Sequence, residues 1–277
     1  MNNALTIDVE DYFHVSAFEK YIRPEDWESY PFRAGDGVLK ILDTLDEFRV
    51  SATFFVLGWV AERFPGLVVE IKKRGHEVAC HGYWHKLVYS TGRDVFRQDV
   101  RRAKSVLEDI TGAEVKGYRA PSYSITAKSL WALDILVEEG FAYDSSIFPI
   151  VHDIYGIPGA SRFPHEINTS SGAIMEFPMS TIDVPGVGFK LPFAGGGYLR
   201  VLPVWAVKRA ISYMNTRELQ PAVLYFHPWE IDPGQPRIKA SLRSRFRHYV
   251  NLNKTMTKIR FLLSLLKFAP MADVLDL

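Results

Sequence analysis

Two histidines stand four residues apart in His81-Gly-Tyr-Trp-His85, and three carboxylates crowd into Asp8-Val-Glu-Asp11. Imidazoles at that spacing meet on one helical turn or across a tight loop, and can share one ion. Carboxylates packed this closely repel each other and gain from a cation. One could ligate while another accepts a proton. Taken alone, the histidines are also explained as unrelated side chains in an aromatic loop, and the acids as company for a helix N-terminus. Residues 12–20 lack helical apolar spacing, which weakens the second of these explanations. Cys80 directly precedes His81, and strand alternation turns it the other way, as a small buried hydrophobe.

These groups need a frame, and the surrounding chain supplies one. Strands are expected at 5–8, 51–57, 76–80, 115–119, 141–144 and 222–226. Helices are expected at 36–48, 65–74, 93–110, 126–139 and 203–216, with Gly75, Gly112 and Gly140 as stop signals. Strands alternating with helices imply right-handed βαβ units around a parallel sheet. Asp8, His81, Arg119, Asp144 and His227 each end or follow an expected strand. In α/β barrels the C-terminal rim of the strands carries the chemistry, so the five would converge on one mouth. Between 150 and 202 the rhythm breaks in a stretch rich in Pro and Gly, with one more strand expected at 173–178. Gly195-Gly-Gly197 has no following lysine and is no phosphate loop. A lid, a close backbone approach or a plain loop all fit it.

The 277 residues suffice for one large α/β domain or two small ones. A net charge of +1 gives no reason to expect nucleic acid as a partner, and a single cysteine excludes an internal disulfide. Neither a leader pattern nor a run of 18 apolar residues is seen, so the expected location is the cytoplasm. Residues 233–272 hold nine Lys or Arg and no acid, which against +1 overall leaves about −8 on the remainder. Within this block 256–268 reads as a helix with Ile259, Leu262, Leu263 and Leu266 on one side. Such a helix lies on an anionic membrane, or packs on the main domain with its charges solvated. The division expected is a main domain at 1–235 and a basic extension at 236–277 packed on it, with peripheral membrane contact through 237–268 as the membrane alternative.

Asp8-Val-Glu-Asp11, His81-Gly-Tyr-Trp-His85, Arg119-Ala-Pro-Ser122, Tyr143-Asp-Ser-Ser146 and Leu224-Tyr-Phe-His227 resemble, in order and spacing, the motifs of the NodB-homology polysaccharide deacetylases. Thr53-Phe-Phe-Val56 and Gly75-His-Glu-Val78 resemble the same family, and the resemblance spans about residues 4–230. The stretches DVEDYFHV, PFAGGGYLR and HYVNLNK are similar more narrowly to the subgroup associated with exosortase-type exopolysaccharide loci. The resemblance implies a distorted (β/α)7 barrel, here with a C-terminal helical extension. It implies Asp8 as catalytic base, His81 and His85 as metal ligands, Arg119 as the arginine that holds the base, and His227 as general acid. Two positions depart from the family pattern. Val9 stands where an adjacent aspartate would bind metal, which moves the acidic ligand to Glu10 or Asp11. Ile147 and Phe148 replace the pair whose aspartate supports the acid histidine, leaving Asp144 or Glu230 as its partner.

The implied chemistry is hydrolysis of an acetamide on an N-acetylated sugar polymer or a lipid-linked oligosaccharide. It needs a divalent metal, Zn2+ first, with Co2+, Ni2+ or Fe2+ as alternatives. A backbone N–H near Tyr123 would help to stabilise the oxyanion. Tyr123, Trp84, Trp229 and Pro121 would face the sugar, since aromatic rings cover the apolar faces of pyranoses. The alternatives are a metal-independent cyclic amide hydrolase, similar to allantoinase, and a non-catalytic carbohydrate-binding barrel. A glycoside hydrolase would leave the histidine pair unexplained. A lipid-linked substrate would put the protein at the inner membrane surface.

Overall fold

The computed structural model describes residues 1–152, 154–183 and 190–277. Its centre is β1 (Asn3–Val9), buried along its whole length. Beside it run β2 (Thr53–Val56), β3 (Glu77–Cys80), β4 (Gly117–Tyr118) and β5 (Tyr143–Asp144). β6 (His165–Thr169) and β7 (Gly172–Glu176) form a hairpin, and β8 (Thr181–Asp183) pairs antiparallel with β9 (Lys190–Pro192) as a separate ribbon. β10 (Val223–Phe226) returns to the other side of β1, and β11 (Phe268–Ala269) also joins β1. The order β10-β1-β2-β3-β4-β5-β7 is parallel throughout, and β6 closes the edge antiparallel. These seven parallel strands are the α/β architecture expected of a distorted (β/α)7 barrel. Among the described residues no pairing joins β10 to β6.

The strands hold because both sheet faces are covered, which is why they read as unbroken apolar runs. The covering helices are α1 (Ala34–Phe48), α2 (Gly58–Arg63), α3 (Pro65–Lys73), α4 (Arg93–Thr111) and α5 (Trp131–Glu138). Phe96, Val100, Ala103 and Leu107 of α4 are buried in a row, as their spacing requires, and Gly112 ends the helix with a left-handed φ of 60°. Arg49 ends α1 in the same conformation (φ 55°) without a glycine. α5 is shorter than expected because residues 126–130 turn back through Ser129, whose hydroxyl donates to the Ser124 carbonyl. The strand expected at 173–178 is β7, which starts one residue earlier, ends two earlier and has the unexpected partner β6. Residues 184–189 of the irregular stretch lie outside the described residues.

After α6 (Gly196–Val201), α7 (Val204–Tyr213) and β10, the chain forms α8 (Leu242–Tyr249), α9 (Leu252–Leu263), β11 and α10 (Met271–Val274). The apolar side of α9 carries Ile259, Leu262 and Leu263 into the same core as Leu5, Ile7, Leu42 and Leu224. That side packs inward and is not available to a membrane. No described helix is long and apolar enough to span one.

Candidate active site

Strand alternation sets the first part of the site. Thr6, Asp8 and Glu10 follow one another at a period of two, so they share a side of β1 and its continuation. Asp11 falls on the other side. Its carboxylate accepts the backbone N–H groups of Tyr12, Arg33 and Ala34, two of them at the entry to α1. Burial pushes this carboxyl up to about 6. Asp11 therefore caps a helix and stands outside the cluster of possible ligands, contrary to its expected place as an alternative to Glu10.

Glu10, His81 and His85 each present one ligand atom, all within 4.8 Å of one another. His81 directly follows β3, and Gly82 (φ 72°) and His85 (φ 52°) bend the segment into a tight loop rather than a helical turn. Asp99 of α4 holds that loop by accepting the N–H groups of Tyr83 and Trp84. His81 Nδ1 lies 2.9 Å from the Arg119 carbonyl, so it donates there and leaves Nε2 for an ion. Burial drives the His81 pKa down to about 4, against Asp8 and Glu10, so the ring is neutral at pH 7. Glu10 Oε2 is buried and has no hydrogen bond, although His85 Nε2 is only 2.5 Å away. Three ligand atoms this close together, two imidazoles and a carboxylate, are a donor set that one ion could share with small adjustments of the side chains. Burial pushes Glu10 up, but His85, His227 and His81 outweigh it and hold the carboxylate well below its usual range.

Arg119 follows β4 and is completely buried. Its guanidinium donates to Asp8 Oδ1 (2.6 Å), Thr6 Oγ1 (2.7 Å) and both oxygens of Ser145, and lies over the Phe55 ring at 4.1 Å. This fixes Asp8 with its second oxygen 3.8 Å from His227 Nε2.

His227 follows β10 and starts the turn Pro228–Ile231. Glu230 at the third position of that turn accepts from both the backbone N–H and Nδ1 of His227, each at 3.0 Å. Glu230 in turn receives Arg200 Nε at 2.6 Å. Arg200 also donates to the carbonyls of Arg247, His248 and Val250, the C-terminal end of α8. Burial would lower the His227 pKa, but the Glu230 hydrogen bond, Glu10 and Asp8 raise it to about 9. His227 thus carries a proton at neutral pH.

Asp144 is not the partner of this histidine. It ends β5 opposite Glu176 of β7 and accepts from Ser146 Oγ, whose oxygen accepts the Ala120 N–H. Burial raises both acids, Asp144 to about 6 and Glu176 well above its ordinary value, so the pair shares a proton. Asp144 is a clamp between strands.

A cavity of about 510 Å³ opens on Asp8, Glu10, His81, His85 and His227. Tyr123, Tyr155, Tyr198, Tyr225 and Trp229 give it an aromatic wall, and Arg243, Phe246 and Arg247 of α8 add a side that had no sequence signal. Gly195 and Gly196 lie so close to the Tyr225 ring that a Cβ on Gly195 would come within 2.0 Å of it, which makes the glycine run a close backbone approach. The expected sugar-facing set divides. Tyr123 and Trp229 line the cavity, though Trp229 also donates its indole N–H to Glu10 Oε1 at 3.1 Å and stacks between His227 and His248. Trp84 instead faces a neighbouring cavity with Trp27 and His14, drawn there by packing on Trp27. Pro121 is buried beneath the turn at Gly82 and lines neither cavity. Ser122 and Tyr123 both have positive φ (51° and 54°), and the Tyr123 N–H donates to the Ala120 carbonyl. It is spent within the turn and not offered to an oxyanion.

Residues 31–136 match the polysaccharide deacetylase family, and residues 145–276 match a domain of unknown function, DUF3473. The chain is thus similar to the polysaccharide deacetylases over its first matched segment and to DUF3473 over its second. It is 35% identical over 140 residues to a peptidoglycan-N-acetylglucosamine deacetylase of Bacillus cereus, covering 46% of this chain and 50% of that one. The chain spans about half the length of the curated relatives it matches. Its fold is similar to that of a Mycobacterium smegmatis protein provisionally named a polysaccharide deacetylase, with TM-score 0.62, 24% identity and coverage of 99% and 88%. It is also similar in fold to the Puue allantoinase, with TM-score 0.64, 15% identity and the same coverage, 99% and 88%. His81, His85 and Arg119 fall in the first matched segment, Arg200, His227 and Glu230 in the second, and Asp8 and Glu10 before both.

Proposed function

We propose that this protein hydrolyses N-acetyl groups on an N-acetylated sugar polymer or lipid-linked oligosaccharide, releasing acetate, with a divalent cation held by Glu10, His81 and His85. The observation that carries this reading is the buried Glu10 oxygen without a hydrogen bond, facing two imidazole nitrogens beside an arginine-held carboxylate. Two imidazoles and a carboxylate suit Zn2+, and Co2+, Ni2+ or Fe2+ as well. When bound, such a cation would supply polarisation of the amide carbonyl and a more acidic water.

The chain's own groups provide the rest. Asp8, oriented by Arg119, takes a proton from the attacking water as its oxygen bonds to the carbonyl carbon. His227, protonated at neutral pH, gives its proton to the amide nitrogen as the C–N bond breaks, so the amine leaves neutral. Acetate and the free amino sugar are the products. Glu230 and Arg200 keep the imidazole oriented and charged. The tyrosines of the cavity wall offer the apolar area that pyranose faces need.

The test is metal analysis of protein purified without chelator, together with acetate release from an N-acetylated chito-oligosaccharide. The expected outcome is one equivalent of divalent metal, loss of acetate release on chelation, and recovery on adding Zn2+. Asp8→Asn should abolish release while keeping the metal. A metal-free protein that opens a cyclic amide would replace this reading with the allantoinase-like one. Metal without any acetate release would leave a binding barrel.

A further inference from the structure

We propose that α8 and the start of α7 form a docking surface for an anionic lipid bilayer, setting the mouth of the catalytic cavity against the headgroup layer. In α8, Leu242 is 81% exposed and Phe246, one turn on and on the same face, 66% exposed. Only His248 of this helix is buried. An eight-residue helix in a globular protein ordinarily turns its leucine and phenylalanine inward. Here they stand in solvent, interleaved with Arg243, Arg245 and Arg247. Val201 at the end of α6 lines the same cavity as α8 and is 58% exposed, and Trp205, four residues further along the chain, is 65% exposed, while Trp27, Trp59 and Trp229 are buried. Val201, Arg243, Phe246 and Arg247 line the catalytic cavity itself, so this surface is at its mouth.

The chemistry selects the occupant. Residues 233–272 contain no acidic side chain, which favours an anionic partner. A neutral N-acetylated glycan has no use for three arginines, and an exposed leucine is no sugar platform. Arginines that meet phosphates, together with aliphatic and aromatic side chains that enter the acyl boundary, are the pattern of an interfacial helix. Exposed tryptophan belongs at the same depth. The basic residues of α9 do not compete for this role, because its apolar side is in the core. The proposal goes beyond the deacetylase reading and rests on it only for what the cavity takes up. Vesicle binding is read without substrate, so either idea can fail alone.

The experiment uses the full chain with vesicles of phosphatidylglycerol and phosphatidylcholine, and of phosphatidylcholine alone, followed by co-sedimentation and by tryptophan emission. The expected result is binding to the anionic vesicles only, a blue shift with protection from acrylamide quenching, and weakening as salt rises and the Debye length falls from about 10 Å at 0.1 M to about 3 Å at 1 M. The double variant Leu242→Ser/Arg245→Glu changes no residue that lines the cavity. It should lower the partition coefficient at least about tenfold with unchanged acetate release from a soluble chito-oligosaccharide. Trp205→Ser, a second and separate variant, should bind more weakly and lose most of the blue shift. Equal binding to both vesicle types, no binding at low salt, or binding unaffected by both variants would overturn the proposal. So would the same emission shift with a soluble anionic polysaccharide, which would make the surface a glycan site.

Discussion

The two sides of the site are built by opposite means. Glu10, His81, His85, Asp8 and Arg119 stand at the ends of neighbouring strands, tied by bonds that run between β1, β3 and β4 or their loops. His227 depends instead on a relay through Glu230 to Arg200 and on to the last carbonyls of α8. A ligand set needs only a stiff sheet, which gives fixed spacing at the strand ends. An acid that must stay protonated through neutral pH needs a buried counter-charge, and a buried counter-charge needs a partner of its own.

That contrast can be broken by substitution. Glu10→Ala or His85→Ala should empty the cation site and cost the whole metal contribution, at least about a thousandfold in kcat. Metal analysis and acetate release would check this, and retention of a full equivalent of metal by Glu10→Ala would refute the ligand set. Glu230→Gln should act on the other side alone. The metal stays, and kcat falls about a hundredfold, within the range for a general acid. The pH profile sharpens the distinction. His227 has its pKa raised to about 9, so its proton is kept through neutral pH and lost as pH rises through that value. Activity should fall on that alkaline limb, and Glu230→Gln should move the limb to lower pH because the main raising contact is gone. An unmoved limb would separate it from His227.

Smaller effects separate helper residues from the site. Asp11→Ala should leave metal content intact yet cost about 2 kcal/mol of stability, since three N–H groups, two of them in buried bonds, lose their acceptor. Denaturant unfolding reads this directly. Asp144→Asn should change kcat by no more than about threefold, because Asp144 bonds to Ser146, is paired with Glu176 and is not among the residues that line the cavity. A large loss of activity there would return Asp144 to the acid histidine.

Much of the rim was legible in the sequence, because strand ends are marked by local apolar runs and by the ionisable residue that follows each run. The choice between Glu10 and Asp11 stayed open in the sequence, and the strand geometry separates the two. A period of two places Glu10 with Asp8 and sends Asp11 to the opposite side. The partner of His227 stayed open between Asp144 and Glu230, and only the turn Pro228–Ile231 brings Glu230 back onto the imidazole. Arg200 and Asp99 gave no signal, since each meets its partner through tertiary folding alone. The Asp144–Glu176 pair was hidden for the same reason, and so was the wall contributed by α8. Trp84 and Pro121 sit beside motif residues in sequence but turn away in space, so adjacency to a motif placed Tyr123 and Trp229 on the cavity's aromatic wall but not these two.

One guanidinium, that of Arg200, links the carboxylate behind the acid to the backbone of the helix that borders the cavity. Under the proposed activity, breadth of substrate and speed of turnover are therefore not independent. Any change that swings α8 outward to admit a bulkier glycan also pulls on the relay behind His227. A lineage that widened its range by this route would slow down unless a new anchor for Glu230 arose with it.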